Sequence, residues 1–210
     1  MTARSPFDAD ALPVDDADEL AGVVDLFGAL SAEEVAAALV ELAYRQRGTV
    51  DDARVETATE RAVAWAVERY YLVEYTPTDL ADDADDADTD GDDADTDEDD
   101  ANRDATHDPL LTVGPVAFPS LPEEAEDLPH ILDFETRTVV RESLARAVET
   151  RLRGDAARAV VAEDEARIQH LFDVTYDLEA WAPVDVGEVR ERLEDALATS
   201  DDEEDEGSES

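Results

Sequence analysis

The chain has 210 residues, and its 59 acidic and 16 basic side chains leave a formal charge of −43. Every basic residue is Arg, and neither Lys nor Cys occurs, which excludes disulfides, thiolate metal sites and cysteine nucleophiles. No apolar run approaches the roughly 18 residues of a membrane span, and the opening MTARSPFDAD lacks a charged-then-apolar leader pattern, so a soluble cytoplasmic protein is expected.

Such a charge strains a compact chain by self-repulsion at ordinary salt. At about 1 M salt the Debye length falls to roughly 3 Å and that repulsion is screened. The carboxylates then act as hydrated solubilising groups, and a halophilic setting is expected. Absence of Lys follows the same logic. A Lys stem exposes alkyl surface where salt strengthens apolar association, whereas Arg pairs carboxylates bidentately. Much of the charge is local: residues 79–108 hold 16 acids and one Arg, and the tail 201–210 holds seven acids.

In chain order, residues 1–17 read as a loose arm. A first helix begins after Asp18, with Leu20, Val23, Val24, Phe27 and Leu30 as its buried stripe. Ser31 and Glu34 form a capping box that opens a second helix, striped by Val35, Leu39, Leu42 and Ala43. Gly48 closes it, behind Arg45 and Arg47. A third helix starts at Thr49 or Asp51 and runs to about Arg69, with Val55, Ala58, Ala62, Trp65 and Ala66 inward. Residues 70–75, dense in Tyr and Val, predict a strand, and Leu110–Val113 predicts its partner. Between them lies the excursion 79–108, too polar and like-charged to collapse and expected to be disordered.

Residues 115–133 carry four prolines and read as a loop returning to the core, with Phe118 and Leu121 as its anchors. Val140, Leu144, Val148 and Leu152 recur every four residues and predict a helix broken at Gly154-Asp155. Asp164 caps the next, bearing Ile168, Leu171 and Phe172. Asp185 to Glu188 opens a last one with Val189, Leu193 and Leu197. The expected fold is mainly α with one β-hairpin: a winged-helix-like unit over 18–78 and 109–134, a helical annex over 135–199, and an acidic tail from 200.

The stretches DELAGVVDLFGALSAEEVAAAL, GPVAFPSLPEEAEDLPHILD and YDLEAWAPVDVGEVRERL resemble a family of small acidic haloarchaeal proteins of unknown function. The likeness covers roughly 18–78 and 109–199. It implies a haloarchaeal setting and supplies no activity or site.

Three helices followed by a hairpin is the order of a winged helix-turn-helix, whose third helix enters the major groove. Arg54 and Arg61, seven apart, share a face of that helix, with Arg45 and Arg47 just before it. These four are the candidate nucleic-acid contacts. Residues 45–69 carry five Arg against five acids, neutral in a strongly negative chain, whereas phosphate contacts draw on positive charge. Pairing of these arginines with nearby acids in a structural or dimerising module is the plain alternative.

The segment 135–160, with six Arg against four acids, is the most basic of the chain. Arg137, Arg141, Arg146, Arg151 and Arg153 there are candidates for meeting a protein partner, although their spread around a helix favours internal pairing with carboxylates. Asp86 to Gly91 copies the opening of a calcium loop, but the eighth position is Asp93 and the twelfth is Asp97 rather than Glu. His107, His130 and His170 have no metal-ligand spacing, and no serine-nucleophile motif occurs. The expected protein is therefore a non-enzymatic binding module without cofactor, meeting either DNA or a protein partner.

Overall fold

The computed structural model describes residues 6–76 and 109–206, with side chains up to 199. The fold is mainly helical with one small antiparallel sheet. The chain divides into two compact units, Met1–Val139 and Val140–Ser210.

The first unit runs α1 (Ala17–Asp25), β1 (Ala29–Ser31), α2 (Ala32–Arg47), α3 (Asp52–Glu68), β2 (Leu72–Tyr75), β3 (Leu110–Val113) and the single turn α4 (Leu128–Ile131). Asp16 caps α1 by accepting from the Asp18 and Glu19 amides. Ser31 and Glu34 close the predicted capping box on α2, and Gly48 ends that helix in the left-handed conformation. Asp51, rather than Thr49, caps α3. The predicted inward stripes of these helices are buried, apart from Trp65, which is half-buried.

The predicted hairpin forms, with Leu72 opposite Val113 and Tyr75 opposite Leu110. A third strand joins it: β1 pairs with β3, giving the order β1-β3-β2. Three residues are too few to show a period, and Leu30, read as helical, lies in this strand. The turn into it needs Gly28, whose φ is +76° and whose missing Cβ would stand 1.8 Å from the Arg137 carbonyl oxygen.

Residues 6–17, read as a loose arm, are structured instead. Leu12 and Val14 are buried in the same core as α1 and α2. Gln46 donates to the Pro13 carbonyl at 3.2 Å, and Arg47 donates to the carbonyls of Ala9 and Leu12. The loop 115–127 is held by its backbone rather than by its large side chains. Phe118 and Leu121, expected as anchors, point outward at 76% and 48% exposure. The Phe118 amide donates to the Asp18 carboxylate at 2.9 Å, and the Ser120 amide to the Asp18 carbonyl at 3.1 Å. Ser120 also rests on Gly22, where a Cβ would meet its oxygen at 1.9 Å. Ala125 and Leu128 are the side chains that enter the core.

The second unit contains α5 (Arg141–Val161), α6 (Glu165–Trp181) and α7 (Gly187–Glu206), packed pairwise. The break expected at Gly154-Asp155 is absent. Glycine costs about 1 kcal/mol in a helix, but Leu144, Val148, Leu152, Ala156 and Ala159 continue one buried stripe across it. Asp164 caps α6 as predicted, and the Asp185 carboxylate accepts from the Gly187 amide at the start of α7. The basic segment 135–160 is not one helix: residues 135–140 precede α5, and those up to Val139 belong to the first unit.

Candidate nucleic-acid interface

The four candidate contacts on α2 and α3 separate into two pairs. Arg45 and Arg47 lie in the last turn of α2 and are turned back on the chain. Arg45 bridges Glu124 at 3.0 Å and Asp127 at 3.1 Å, tying the returning loop to α2. Arg47 holds the segment at Ala9 and Leu12. Both act as internal clamps, Arg45 half-buried between two carboxylates and Arg47 exposed but bonded to backbone carbonyls.

Arg54 and Arg61 are exposed on α3, and their guanidinium groups make no ion pair or hydrogen bond among the described residues. Local sequence accounts for this. On a helix, charges interact three and four positions apart. Around Arg61 those positions hold Thr57, Ala58, Ala64 and Trp65; around Arg54 they hold Val50, Asp51, Thr57 and Ala58. The one acid, Asp51, accepts from the Arg54 amide as the helix cap. Both arginines line an open cleft of about 620 Å³ whose other wall is Pro6, Phe7, Asp8, Ala9 and Ala11. Thr57 and Ala58 form its α3 side between them. Asp8, the acid among the lining residues, accepts from the Asp10 amide at 3.1 Å.

At the C-terminal end of α3 an aromatic stack fixes the neighbouring chain. Trp65 stacks on Tyr71 at 5.7 Å, meets Phe7 edge-on at 5.8 Å, and carries the Arg69 guanidinium 4.4 Å above its ring. The role is packing: Phe7 seats segment 6–11 against α3 and so builds the second wall of the cleft.

The candidate partner-binding arginines are mostly engaged. Arg137 lies before α5 and forms a two-pronged pair with Glu34, at 2.7 and 3.0 Å. It also donates to the Ala29 carbonyl at 3.0 Å. Burial alone would raise the Glu34 carboxyl, but the Arg137 guanidinium and the Ser31 amide outweigh it and hold it below the usual carboxylate range. Arg151 faces Asp155 at 3.8 Å, and Arg153 bridges Glu149 at 2.7 Å. Arg153 and Arg146 line a second open cleft with Glu149, Asp185 and Glu188. Arg141 is exposed.

The sequence reading missed two centres. Asp155 gathers Arg151, Arg158 and, from α6, Arg167 at 3.3 Å. Arg190 on α7 donates to the Thr175 hydroxyl at 2.9 Å, pairs with Glu179 and lies 4.2 Å over the Tyr176 ring. The pairings of Asp155 along α5 follow helix spacing; those between helices leave no local signal. Among the described residues no cluster of three or more His, Asp or Glu could hold a metal. The calcium-like run at 86–97 and His107 lie outside the described residues. His130 and His170 line neither cleft. No helix among the described residues is long and apolar enough to cross a membrane.

A family model described as a family of unknown function, DUF7109, matches residues 18–198. No curated protein and no solved structure matches the chain.

Proposed function

This chain belongs to the DUF7109 family of unknown function, and from that premise we propose that it is a non-enzymatic nucleic-acid-binding protein of a halophilic cytoplasm. Its first unit is read as winged-helix-like. The order α1-β1-α2-α3-β2-β3 and the sheet order β1-β3-β2 support that reading: three helices, a short strand after the first, and a terminal two-stranded wing. The halophilic part rests on composition, a charge of −43 with Arg as the sole basic residue.

One observation carries the function. In a chain this rich in carboxylates, two arginines sit on one face of α3, in one cleft, with no carboxylate engaged among the described residues. An unpaired guanidinium retains its fork of donors for a phosphate. The competing reading, a protein–protein module working through the arginines of 135–160, draws less support. Arg137, Arg151 and Arg153 there are committed to Glu34, Asp155 and Glu149.

The test is fluorescence anisotropy of a labelled DNA duplex with the full chain in concentrated KCl. Wild type is expected to bind more weakly than the roughly 10⁻⁴ to 10⁻⁶ M of non-specific complexes at physiological salt, because the counterion-release drive shrinks as KCl rises. The Arg54→Ala/Arg61→Ala double variant is expected to lose that binding. A wild-type protein that leaves the duplex free removes the proposal.

A further inference from the structure

The cleft carries the reading one step further, to the part of the nucleic acid that α3 meets. At 3.6 residues per turn, successive side chains on α3 are about 100° apart. Taking the buried stripe Val55, Ala62 and Ala66 as the inner face, the crest opposite holds Ala53, Thr57 and Ala64. Glu56 and Glu60 lie on one flank of that crest. Arg54 and Arg61 lie on the other, within about 20° of each other and roughly 70° from the crest. That second flank is the one walled by residues 6–11.

Base edges in a groove are read by long, forked side chains on the leading face of a helix, with Arg, Asn and Gln as the usual readers. Ala53, Thr57 and Ala64 offer one short hydroxyl between them. The long donors stand aside from that face, in a cleft, where a sugar–phosphate strand passes beside a helix. Along the axis Arg54 and Arg61 are separated by seven residues, about 10.5 Å. Phosphates along one strand of B-DNA advance about 3.4 Å each along the duplex axis, and the strand also winds around that axis, so their true separation is larger and this span suits phosphates one or two steps apart.

Resting on the nucleic-acid reading above, we infer that the α3 cleft is a backbone clamp. Arg54 and Arg61 each take a phosphate of one strand, one or two nucleotides apart, and the protein binds without regard to base sequence. Such contacts position a protein and carry no sequence information. Glu56 and Glu60 lie on the opposite flank, and Glu68, seven residues beyond Arg61 on the arginine flank, pairs with Arg69 and bounds the contact at the C-terminal end of α3.

The experiment uses the full chain and a randomised pool of labelled duplexes, with binding measured across a KCl series. Repeated selection from the pool is expected to enrich no consensus. The slope of log K against log salt is expected near −2, from two phosphate contacts at about −0.9 each. Arg54→Ala and Arg61→Ala are each expected to reduce its size by about 1, whereas Thr57→Ala leaves it unchanged. An enriched consensus, or a Thr57→Ala variant with altered sequence preference, overturns the clamp and leaves the binding reading standing. A slope untouched by either arginine also overturns it. No retention of any duplex overturns both.

Discussion

The pair between Arg137 and Glu34 joins residues 103 apart and fixes the last stretch of the first unit to its sheet edge. Arg137 spends its amide on the Phe27 carbonyl at 2.8 Å and its guanidinium on Ala29 and both Glu34 oxygens. Glu34 in turn caps Ser31, accepting from its amide at 2.7 Å. The two side chains are 24% and 21% exposed. A fully exposed pair contributes under about 1 kcal/mol, and breaking a buried one costs roughly 3–5 kcal/mol. At one-fifth exposure, a coupling of about 1–2 kcal/mol is expected, and Arg137→Ala is expected to cost about 2–3 kcal/mol in all. The assay is a double-mutant cycle of Arg137→Ala and Glu34→Gln, since Gln keeps an oxygen for the Ser31 amide. Urea unfolding in concentrated KCl, followed at Trp65 in a Trp181→Phe background, reports the first unit alone. The pH dependence follows from the lowered Glu34 carboxyl. Its contribution is fully present above the unfolded carboxylate value, about 4.3, and is lost as pH falls through the folded value. Arg137→Ala should flatten that acid limb. A coupling below about 0.3 kcal/mol, the error of such cycles, refutes the reasoning.

Further predictions concern backbone contacts, the second unit and salt. Gly22→Ala drives a Cβ to 1.9 Å from the Ser120 oxygen and is expected to cost about 2–4 kcal/mol, with faster amide exchange at Phe118 and Ser120. Gly48→Ala meets open space and should cost only about 1 kcal/mol, for the left-handed conformation. Asp155→Asn releases three guanidinium groups, of which the 73% exposed Arg158 matters least. A loss of about 1–3 kcal/mol is expected in urea unfolding followed at Trp181 in a Trp65→Phe background. Raising KCl from millimolar to molar should stabilise both units, because long-range carboxylate repulsion is screened while contact pairs persist. Urea midpoints that stay level along the KCl series contradict the halophilic reading.

Where the chain's own local chemistry is sufficient, the sequence was legible. The capping box at Ser31 and Glu34, the Gly48 stop and the hairpin strands each depend on residues within a few positions of one another. The inward stripes of α2 and α3 do as well. The strand β1 was illegible because three residues cannot display a period, and its reason for being extended lies 80 residues away in β3. The loop at 115–121 misled for a related reason: hydrophobicity suggested Phe118 as the anchor, whereas backbone bonds to Asp18 and the bare Cα of Gly22 do the holding. Once the backbone is fixed that way, Phe118 is turned outward whatever its preference for burial.

The arginines divide along the same line, and the division gives the candidate site its meaning. Arg45 finds Glu124 and Asp127 79 and 82 residues away, and Arg137 finds Glu34 at 103. No spacing rule announces such partners, so the sequence offered Arg45 and Arg137 as candidate contacts and the fold pairs both with carboxylates. Arg54 and Arg61 are the reverse case. Their helical neighbours at three and four positions leave no acid free to meet them, so only a distant carboxylate was able to neutralise them. Within the described residues the fold supplies none at ion-pair distance: the wall opposite brings Asp8, whose carboxylate is turned to the Asp10 amide. With acids outnumbering arginines 59 to 16, pairing is the default, and two guanidinium groups that meet no carboxylate among the described residues remain open to an external anion.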